Sequence, residues 1–278
     1  MAGFRAYSVY GGLVAFLVIG HMTLVRAQAP SAQAVVTAAR EALGGEQRLS
    51  TVTSFTANGR TRQLRGNNLV PIEFEINCEL PDKYVRKDEI PAQDTDATVT
   101  GFVGDQLILS PAPPNRAGGP APLVVAQQRL VGLKQDFARL MLGIFAASFS
   151  PYPLTFKYLA EGDAPEGKAD ILDVAGPANF SARLVVQRDT HLPVMLMWQA
   201  PVPAGRGAAR GPTPVPGRGA PPSAEHRLYY SDYRAVNGGI KWPFRIRHAV
   251  GGATIEETTF DRVILNAKID PKKFDALK

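Results

Sequence analysis

Apolar and polar residues alternate along much of the chain. The alternation is clearest over residues 69–78, where every second side chain from position 70 onward is apolar and the positions between carry proline, glutamate or asparagine. Successive side chains of a β-strand point to opposite faces of a sheet, so this segment is predicted to be a strand with one buried and one solvated face. The apolar positions are Val70, Ile72, Phe74, Ile76 and Cys78.

The C-terminal part of the chain, residues 225–265, has the pattern of a three-stranded meander. Asn237-Gly238 and Gly251-Gly252 separate its alternating segments, and Asn-Gly between such segments is a strong hairpin signal. With the shorter alternating segments between residues 52 and 199, the pattern predicts about ten or eleven antiparallel strands. The middle strand of the meander places these residues on one face: Ile240, Trp242, Phe244, Ile246 and His248.

Two segments have helical periodicity instead. Residues 31–43 begin with Ser31, a preferred N-cap residue, and end before Gly44-Gly45, which predicts a helix with both end signals. A second helix is predicted over residues 123–149, although Gly132 and Gly143 each weaken it by about 1 kcal/mol relative to alanine. Its apolar residues form a wide stripe that needs a partner to cover it. They are Leu130, Leu133, Phe137, Leu140, Met141, Ile144 and Phe145.

Together these elements predict an α+β fold. A sheet of this many antiparallel strands twists and curls, so we expect a strongly curved, unclosed β-barrel with a concave apolar face. The apolar stripe of the second helix suits that face, and the helices are expected to plug it. A lipid acyl chain presents the same hydrocarbon surface as the stripe and could take the same place. The alternative is that these apolar faces form a solid core without room for a ligand.

The first 27 residues have the organisation of a signal peptide. Arg5 supplies a basic start, residues 11–20 are an apolar run, and cleavage after Ala27 satisfies the requirement for small residues. The alternative is an uncleaved membrane anchor with the apolar run extended to Leu24. Because the run is short for a membrane span, we expect a periplasmic protein without stable membrane insertion after cleavage. Residues 28–278 are expected to form a single domain.

Two low-complexity loops, residues 111–122 and 201–223, consist mainly of proline, glycine, alanine and arginine. They contain little that packs into a core, so we expect solvated loops. The formal net charge is +6, and the second loop supplies Arg206, Arg210 and Arg218. An RGG-like RNA-binding segment is the alternative, but three arginines are few, and nucleic acid is not an expected partner.

A search for catalytic and metal-binding motifs finds none. The sequence has no His-Glu-x-x-His, Gly-x-Ser-x-Gly, Walker or dinucleotide-binding motif, and its four histidines lack metal-site spacing. The single cysteine, Cys78, excludes a disulfide within the chain and is expected to be a buried hydrophobe. We therefore expect no catalysis, no metal and no cofactor. The competing hypothesis is a hydrolase assembled from His191, His226 or His248 with aspartates, which requires two of these histidines to meet in a cleft.

Several short phrases, in a fixed order, carry a resemblance to a known family. After the first helix and its Ala42–Gly45 end come residues 173–176 (DVAG), 189–193 (DTHLP), 231–238 (SDYRAVNG), 242–244 (WPF) and 266–270 (NAKID). In this order the chain resembles the LolA/LolB-like family of periplasmic outer-membrane lipoprotein carriers and their relatives. The resemblance implies an unclosed antiparallel barrel, helices that plug a hydrophobic cavity, and no catalysis.

These inferences predict an exported protein that binds the acyl chains of lipids or lipoproteins. The alternative function is a non-enzymatic envelope sensor or docking module that uses the curved sheet to bind a protein partner. Twelve residues are predicted to line the cavity. From the strands they are Phe74, Ile76, Leu184, Leu196, Trp198, Trp242, Phe244 and Ile246, and from the plugging helix they are Phe137, Leu140, Met141 and Ile144.

Overall fold

The structure is a computed structural model that describes residues 30–275, except 92, 94, 113–120 and 202–222. The predicted signal peptide and most of both low-complexity loops therefore lie outside the described residues. Within the described ranges, none of the helices has the length and apolar character needed to cross a membrane.

The described residues contain twelve strands, slightly more than the alternation predicts. They are β1 (Ser54–Arg65), β2 (Asn68–Glu79), β3 (Lys83–Glu89), β4 (Thr98–Val103), β5 (Gln106–Ser110), β6 (Thr155–Ala164), β7 (Gly167–Gly176), β8 (Phe180–Gln187), β9 (Pro193–Pro201), β10 (Ser223–Ala235), β11 (Lys241–Val250) and β12 (Ala253–Leu265). Burial alternates along β2 as predicted as far as Ile76, with Ile72, Phe74 and Ile76 buried. Cys78 is buried as predicted, but Asn77, which the alternation places on the solvated face, is buried as well.

All twelve strands belong to one antiparallel sheet with the order β5-β4-β3-β2-β1-β12-β11-β10-β9-β8-β7-β6. The sheet consists of two meanders, one of five strands and one of seven, joined where β1 pairs with β12. Its two ends are β5 and β6, which are consecutive in sequence but lie at opposite edges. The connection between them must therefore cross the sheet.

The helical elements are two helices and one helical turn, α1 (Ala32–Leu43), α2 (Glu46–Leu49) and α3 (Pro122–Phe145). Two short 3-10 segments, Asn237–Gly239 and Pro271–Phe274, complete the described part of the fold. The Ser31 side chain caps α1 by accepting a hydrogen bond from the Ala34 N–H at 3.1 Å, as its sequence predicts. The α3 helix ends at Phe145, earlier than the predicted residue 149, because Ala146 adopts a left-handed conformation with φ of 48°. Phe149 is nevertheless buried in the core beyond the helix end.

Contacts of α3 show that the sheet is curled. Phe137 packs against Tyr84 of β3 with ring centroids 4.8 Å apart, while Arg139, two residues further on, lies 4.5 Å from the Trp198 ring of β9. Six strand spacings of about 4.8 Å would separate β3 from β9 by about 29 Å in a flat sheet. Neighbouring side chains of one helix reach both strands only because the sheet wraps around α3. The unclosed curved barrel plugged by a helix is confirmed.

Local irregularities in the strand pairing accompany this curvature. The β1–β12 register shifts between Asn58 and Gly59, and similar shifts occur in the β6–β7, β8–β9 and β11–β12 pairs. Bulges of this kind bend the bulged strand and increase its twist. A Cβ atom at Gly59 would overlap the backbone of Thr259, so glycine is required at this bend.

Candidate functional site

A cavity of about 370 Å³ lies between α3 and the concave face of the sheet. Its walls come from α3, from β2, β3 and β4 of the shorter meander, and from β9 to β12 of the longer one. Five of the twelve predicted residues line it. They are Ile76, Phe137, Leu140, Trp198 and Ile246.

The other seven predicted residues lie in the apolar core that continues below this cavity. Trp242 is fully buried and makes edge contacts with the rings of Phe55, Phe145 and Phe260. All seven of these predicted residues pack within the core and are not part of the cavity lining. They are Phe74, Met141, Ile144, Leu184, Leu196, Trp242 and Phe244.

The cavity is amphipathic, whereas the alternation of the sequence predicts large apolar residues at the inward positions. Thr61 and Thr258, paired across β1 and β12, share a buried hydroxyl–hydroxyl hydrogen bond of 2.9 Å. Arg86 of β3 donates to Asp88 at 2.7 Å, and its guanidinium lies 4.7 Å from the Phe74 ring. The lining of this cavity therefore combines charged and hydroxyl groups with apolar side chains.

Arg139 is the most buried cation of this region, with 9% of its surface exposed. Its Nη1 donates to Asp136 one helical turn earlier at 2.7 Å. The guanidinium lies 4.5 Å from the Trp198 ring and 5.3 Å from that of Phe180. Its buried Nε–H has no hydrogen-bond acceptor. Unpaired buried donors are costly, so this guanidinium has unused capacity to bind an oxygen ligand.

Asp136 opens into the cavity, where 70% of its side chain is accessible. The protein that surrounds this cavity nevertheless raises the pKa of the carboxyl group, because desolvation outweighs the opposing effect of Arg139. A neutral carboxyl group at this position would leave Arg139 without a full counter-charge.

Two histidines meet beside the cavity, and His248 lines it. The Nδ1 atom of His226 on β10 lies 3.0 Å from Nε2 of His248 on β11. The His248 ring stacks on Trp198, and the His226 ring lies tilted against the same tryptophan. The register of β10 and β11 explains this contact, since His226 pairs with Val250 and Leu228 pairs with His248. His191 lies in the turn between β8 and β9 with φ of 56° and is not part of the pair.

The described lining of the 370 Å³ cavity contains no serine or cysteine that the histidines could activate. Cys78 is fully buried among apolar residues of the core, and that burial raises the pKa of its thiol well above the ordinary value. Among the described residues there is also no group of three His, Cys, Asp or Glu side chains able to hold a metal ion.

A second, larger cavity of about 810 Å³ lies on the other side of Arg139 and Trp198, which line both spaces. Its walls come from α3 and from strands β6 to β10, with Glu225 as the β10 residue. Lys157 and Arg183 contribute positive charge, and Asp173 pairs with Arg183 at 3.2 Å. The two cavities together provide space on both sides of one buried guanidinium.

Polar anchors hold the C-terminal half of α3 in the sheet. The Tyr230 hydroxyl donates to the Arg139 carbonyl at 3.2 Å, and the Tyr233 hydroxyl lies 3.2 Å from the carbonyl of Gly143. Arg40 of α1 donates to the Phe145 carbonyl at 2.9 Å and so satisfies the end of the helix. Among the described residues, the first turn of α3 makes no such polar contact, and Leu123 is 84% exposed. The described anchors therefore lie in the C-terminal half of the helix.

Sequence reasoning missed the polar residues of the cavity. Tyr84, Arg86 and Asp88 share one face of β3, but alternation alone does not show which face of a mixed strand is inward. A stronger signal lay in α3, where Asp136 and Arg139 interrupt the apolar stripe between Leu133 and Leu140. Further missed lining residues are Thr100, Leu133, Leu228, Tyr230, Glu256, Thr258 and Phe260.

Comparison with known proteins identifies the fold. No protein-family model matches the sequence, and no curated protein matches it. The structure matches a LolA superfamily protein from Nitrosomonas europaea with a TM-score of 0.53 and 14% identity, over 89% of this chain and 98% of that chain.

Two further solved structures match with lower scores. One is a DUF1329 family protein from Desulfovibrio piger (TM-score 0.45, 8% identity, 88% of this chain and 97% of that chain). The other is an outer membrane lipoprotein-sorting protein domain from Vibrio parahaemolyticus (TM-score 0.46, 7% identity, 86% and 95%). Identities this low show the fold alone, and the fold of this chain is LolA-like.

Proposed function

We propose that this protein is a non-catalytic carrier that binds an acyl chain of a lipid or lipoprotein between α3 and the concave face of the sheet. The observation that carries the proposal is the 370 Å³ cavity at this place, lined by Phe137 and Leu140 of the helix and by Ile246 of the sheet. Its volume falls within the range of about 300–1,000 Å³ that is usual for small-ligand sites.

The energetics of such binding follow from hydrocarbon burial. Each CH₂ group removed from water contributes about 0.8 kcal/mol. A chain longer than the existing cavity has to displace part of α3, and the exposed first turn around Leu123 is the part with the fewest contacts to lose. The anchored half, held by Tyr230 and Tyr233, stays in place.

The proposed location is the periplasm, after cleavage of a signal peptide at Ala27. The basic, apolar and small-residue segments of residues 1–27 support export, and the LolA-like fold is compatible with a carrier in the cell envelope. Delivery of the ligand would require a protein or membrane acceptor, and a protein partner in the envelope is part of the proposal.

A hydrolase is the second candidate function, because His226 and His248 do meet at a cleft. Both rings pack against Trp198, and the described lining offers neither serine nor cysteine as a nucleophile. These contacts favour a packing role for the histidines over a catalytic one.

The test is lipid retention by the mature protein purified from the periplasm under native conditions, with bound lipids extracted and identified by mass spectrometry. Leu140→Glu places a charge in the cavity and is expected to abolish retention. Leu123→Glu is the matched control, since it adds the same charge to the same helix at an exposed site outside the lining. Equal retention by wild type and Leu140→Glu would overturn the proposal.

A further inference from the structure

Arg139 lies at the junction of the two cavities and contributes to the lining of both. Arg139 is close in sequence to Phe137 and Leu140 on α3, and all three side chains line the smaller cavity. A ligand with its chain against these apolar residues therefore has its end within reach of a buried guanidinium.

The guanidinium is only partly satisfied by the protein. It carries five N–H donors, of which Nη1 is bonded to Asp136 and the buried Nε–H is without an acceptor. Trp198 covers one face of the group, which leaves its edge for hydrogen bonds in the plane. Carboxylate and phosphate oxygens match this edge because they accept two parallel N–H bonds.

We propose that the ligand is an acyl chain that ends in an anionic group, and that Arg139 binds this group where the two cavities meet. The inference rests on the proposed carrier function and specifies its ligand class. It favours a free fatty acid or another lipid with an ionised oxygen headgroup close to the chain. The acyl chains of a lipoprotein, attached through uncharged ester and amide bonds, lack this group.

Arg139 differs from the other two arginines that line the cavities. Arg86 is matched by Asp88 and Arg183 by Asp173, so both arginines already have carboxylate partners. Asp136 is the group that a ligand headgroup would replace, and desolvation already disfavours its charged form. Glu256, which also faces the smaller cavity, accepts a hydrogen bond from Gln63 at 2.7 Å.

The experiment compares palmitate with 1-hexadecanol, which has the same chain but no charge, by calorimetric titration of the full mature chain at mildly alkaline pH. Wild type is expected to bind palmitate about tenfold or more tightly than the alcohol, as one charge-assisted hydrogen bond requires. Arg139→Met, which keeps an unbranched apolar stem over Trp198, is expected to lose this preference. Arg60→Met is the control for removal of a positive charge and is expected to keep it, because Arg60 pairs with Asp261 at 3.3 Å and lines neither cavity.

The outcomes separate this inference from the carrier function. Equal binding of palmitate and hexadecanol by wild type overturns the headgroup assignment and leaves the carrier function standing, whereas binding of neither overturns both. If inorganic phosphate competes for the site as strongly as palmitate does, the site binds an anion without a lipid chain, and the proposed lipid ligand is wrong. Asp136→Asn removes the competing carboxylate and is expected to bind palmitate more tightly, so the proposal stays testable even where Arg139→Met does not fold.

Discussion

Gly143 of α3 lies directly against the ring of Tyr230, so closely that a Cβ atom at position 143 would overlap two carbons of that ring. The same tyrosine donates its hydroxyl hydrogen to the Arg139 carbonyl one turn earlier in the helix. Glycine costs helix stability at this position, but it allows β10 to approach the helix backbone. The contact fixes the depth at which the anchored half of α3 sits in the barrel.

Gly143→Ala is therefore expected to destabilise the protein despite a better helix propensity. Overpacking in a core costs about 1–3 kcal/mol, which exceeds the helical gain of about 1 kcal/mol. Gly132→Ala is the matched control in the same helix, because a Cβ there meets no atom within 4 Å. Denaturant unfolding is expected to show a lower midpoint for the first variant and a higher one for the second. Equal effects of the two substitutions would contradict the close packing at Tyr230.

Tyr233 provides a second anchor for the helix. Its hydroxyl lies 3.2 Å from the Gly143 carbonyl and 2.7 Å from the Pro193 carbonyl. Tyr233→Phe removes the single O–H that one of these two carbonyl oxygens accepts and is expected to lower the free energy of unfolding by about 1–3 kcal/mol. Tyr229→Phe serves as the control, since its hydroxyl contacts only Arg227 at 3.5 Å among the described hydrogen bonds. If denaturation curves of the two variants coincide, Tyr233 does not anchor α3.

Asp136 is expected to reduce stability at neutral pH. Its folded-state pKa is raised above 3.8 by desolvation, so the folded protein holds this proton more tightly than the unfolded chain. The folded protein is therefore more stable while the Asp136 carboxyl group is protonated. This stability is fully present below pH 3.8 and is lost as the pH rises through the raised pKa. Asp136→Asn is expected to gain stability relative to wild type across this window and to keep the gain at neutral pH.

The matched control for this pH dependence is Asp105→Asn, which has the opposite sign. The hydrogen bond from Lys134 lowers the pKa of Asp105 below 3.8, so its stabilising effect is present at neutral pH and is lost on acidification. Thermal unfolding followed from acidic to neutral pH measures both differences. A gain for Asp105→Asn at neutral pH, or a loss for Asp136→Asn, would show that the local electrostatics are wrongly assigned.

The histidine pair is expected to have no hydrolytic role. Purified protein and the His226→Asn/His248→Asn double variant should hydrolyse activated fatty-acyl esters at the same background rate. A rate in wild type that disappears in the double variant, with the fold intact by circular dichroism, would instead support the hydrolase candidate.

The architecture could be predicted from the sequence because its signals are local. Alternation in β2 identifies the buried face that Phe74 and Ile76 share, and the turn residues 237–238 and 251–252 separate the last three strands. The end of α3 could not be predicted, because apolar residues continue to Phe149 after Ala146 has already terminated the helix. Burial of a side chain is a tertiary property, and both helical and irregular backbone can provide it.

The site was less predictable because it depends on strand register. His226 and His248 are 22 residues apart and meet only through the pairing of β10 with β11. Thr61 and Thr258 meet in the same way across β1 and β12. No local pattern distinguishes such inward polar residues from those on a solvated face, so the sequence predicts a concave face that is more apolar than the observed cavity lining.

The central claim is that an acyl chain occupies the space under α3, and the two tryptophans of the chain allow a direct test. Trp198 lines the cavity, whereas Trp242 is fully buried in the core beneath it. A fatty acid brominated along its chain quenches tryptophan fluorescence on contact. Addition of this ligand is expected to quench Trp198 in the Trp242→Phe variant and to leave Trp242 in the Trp198→Phe variant nearly unchanged. Equal quenching in both variants, or none in either, would contradict binding at this site.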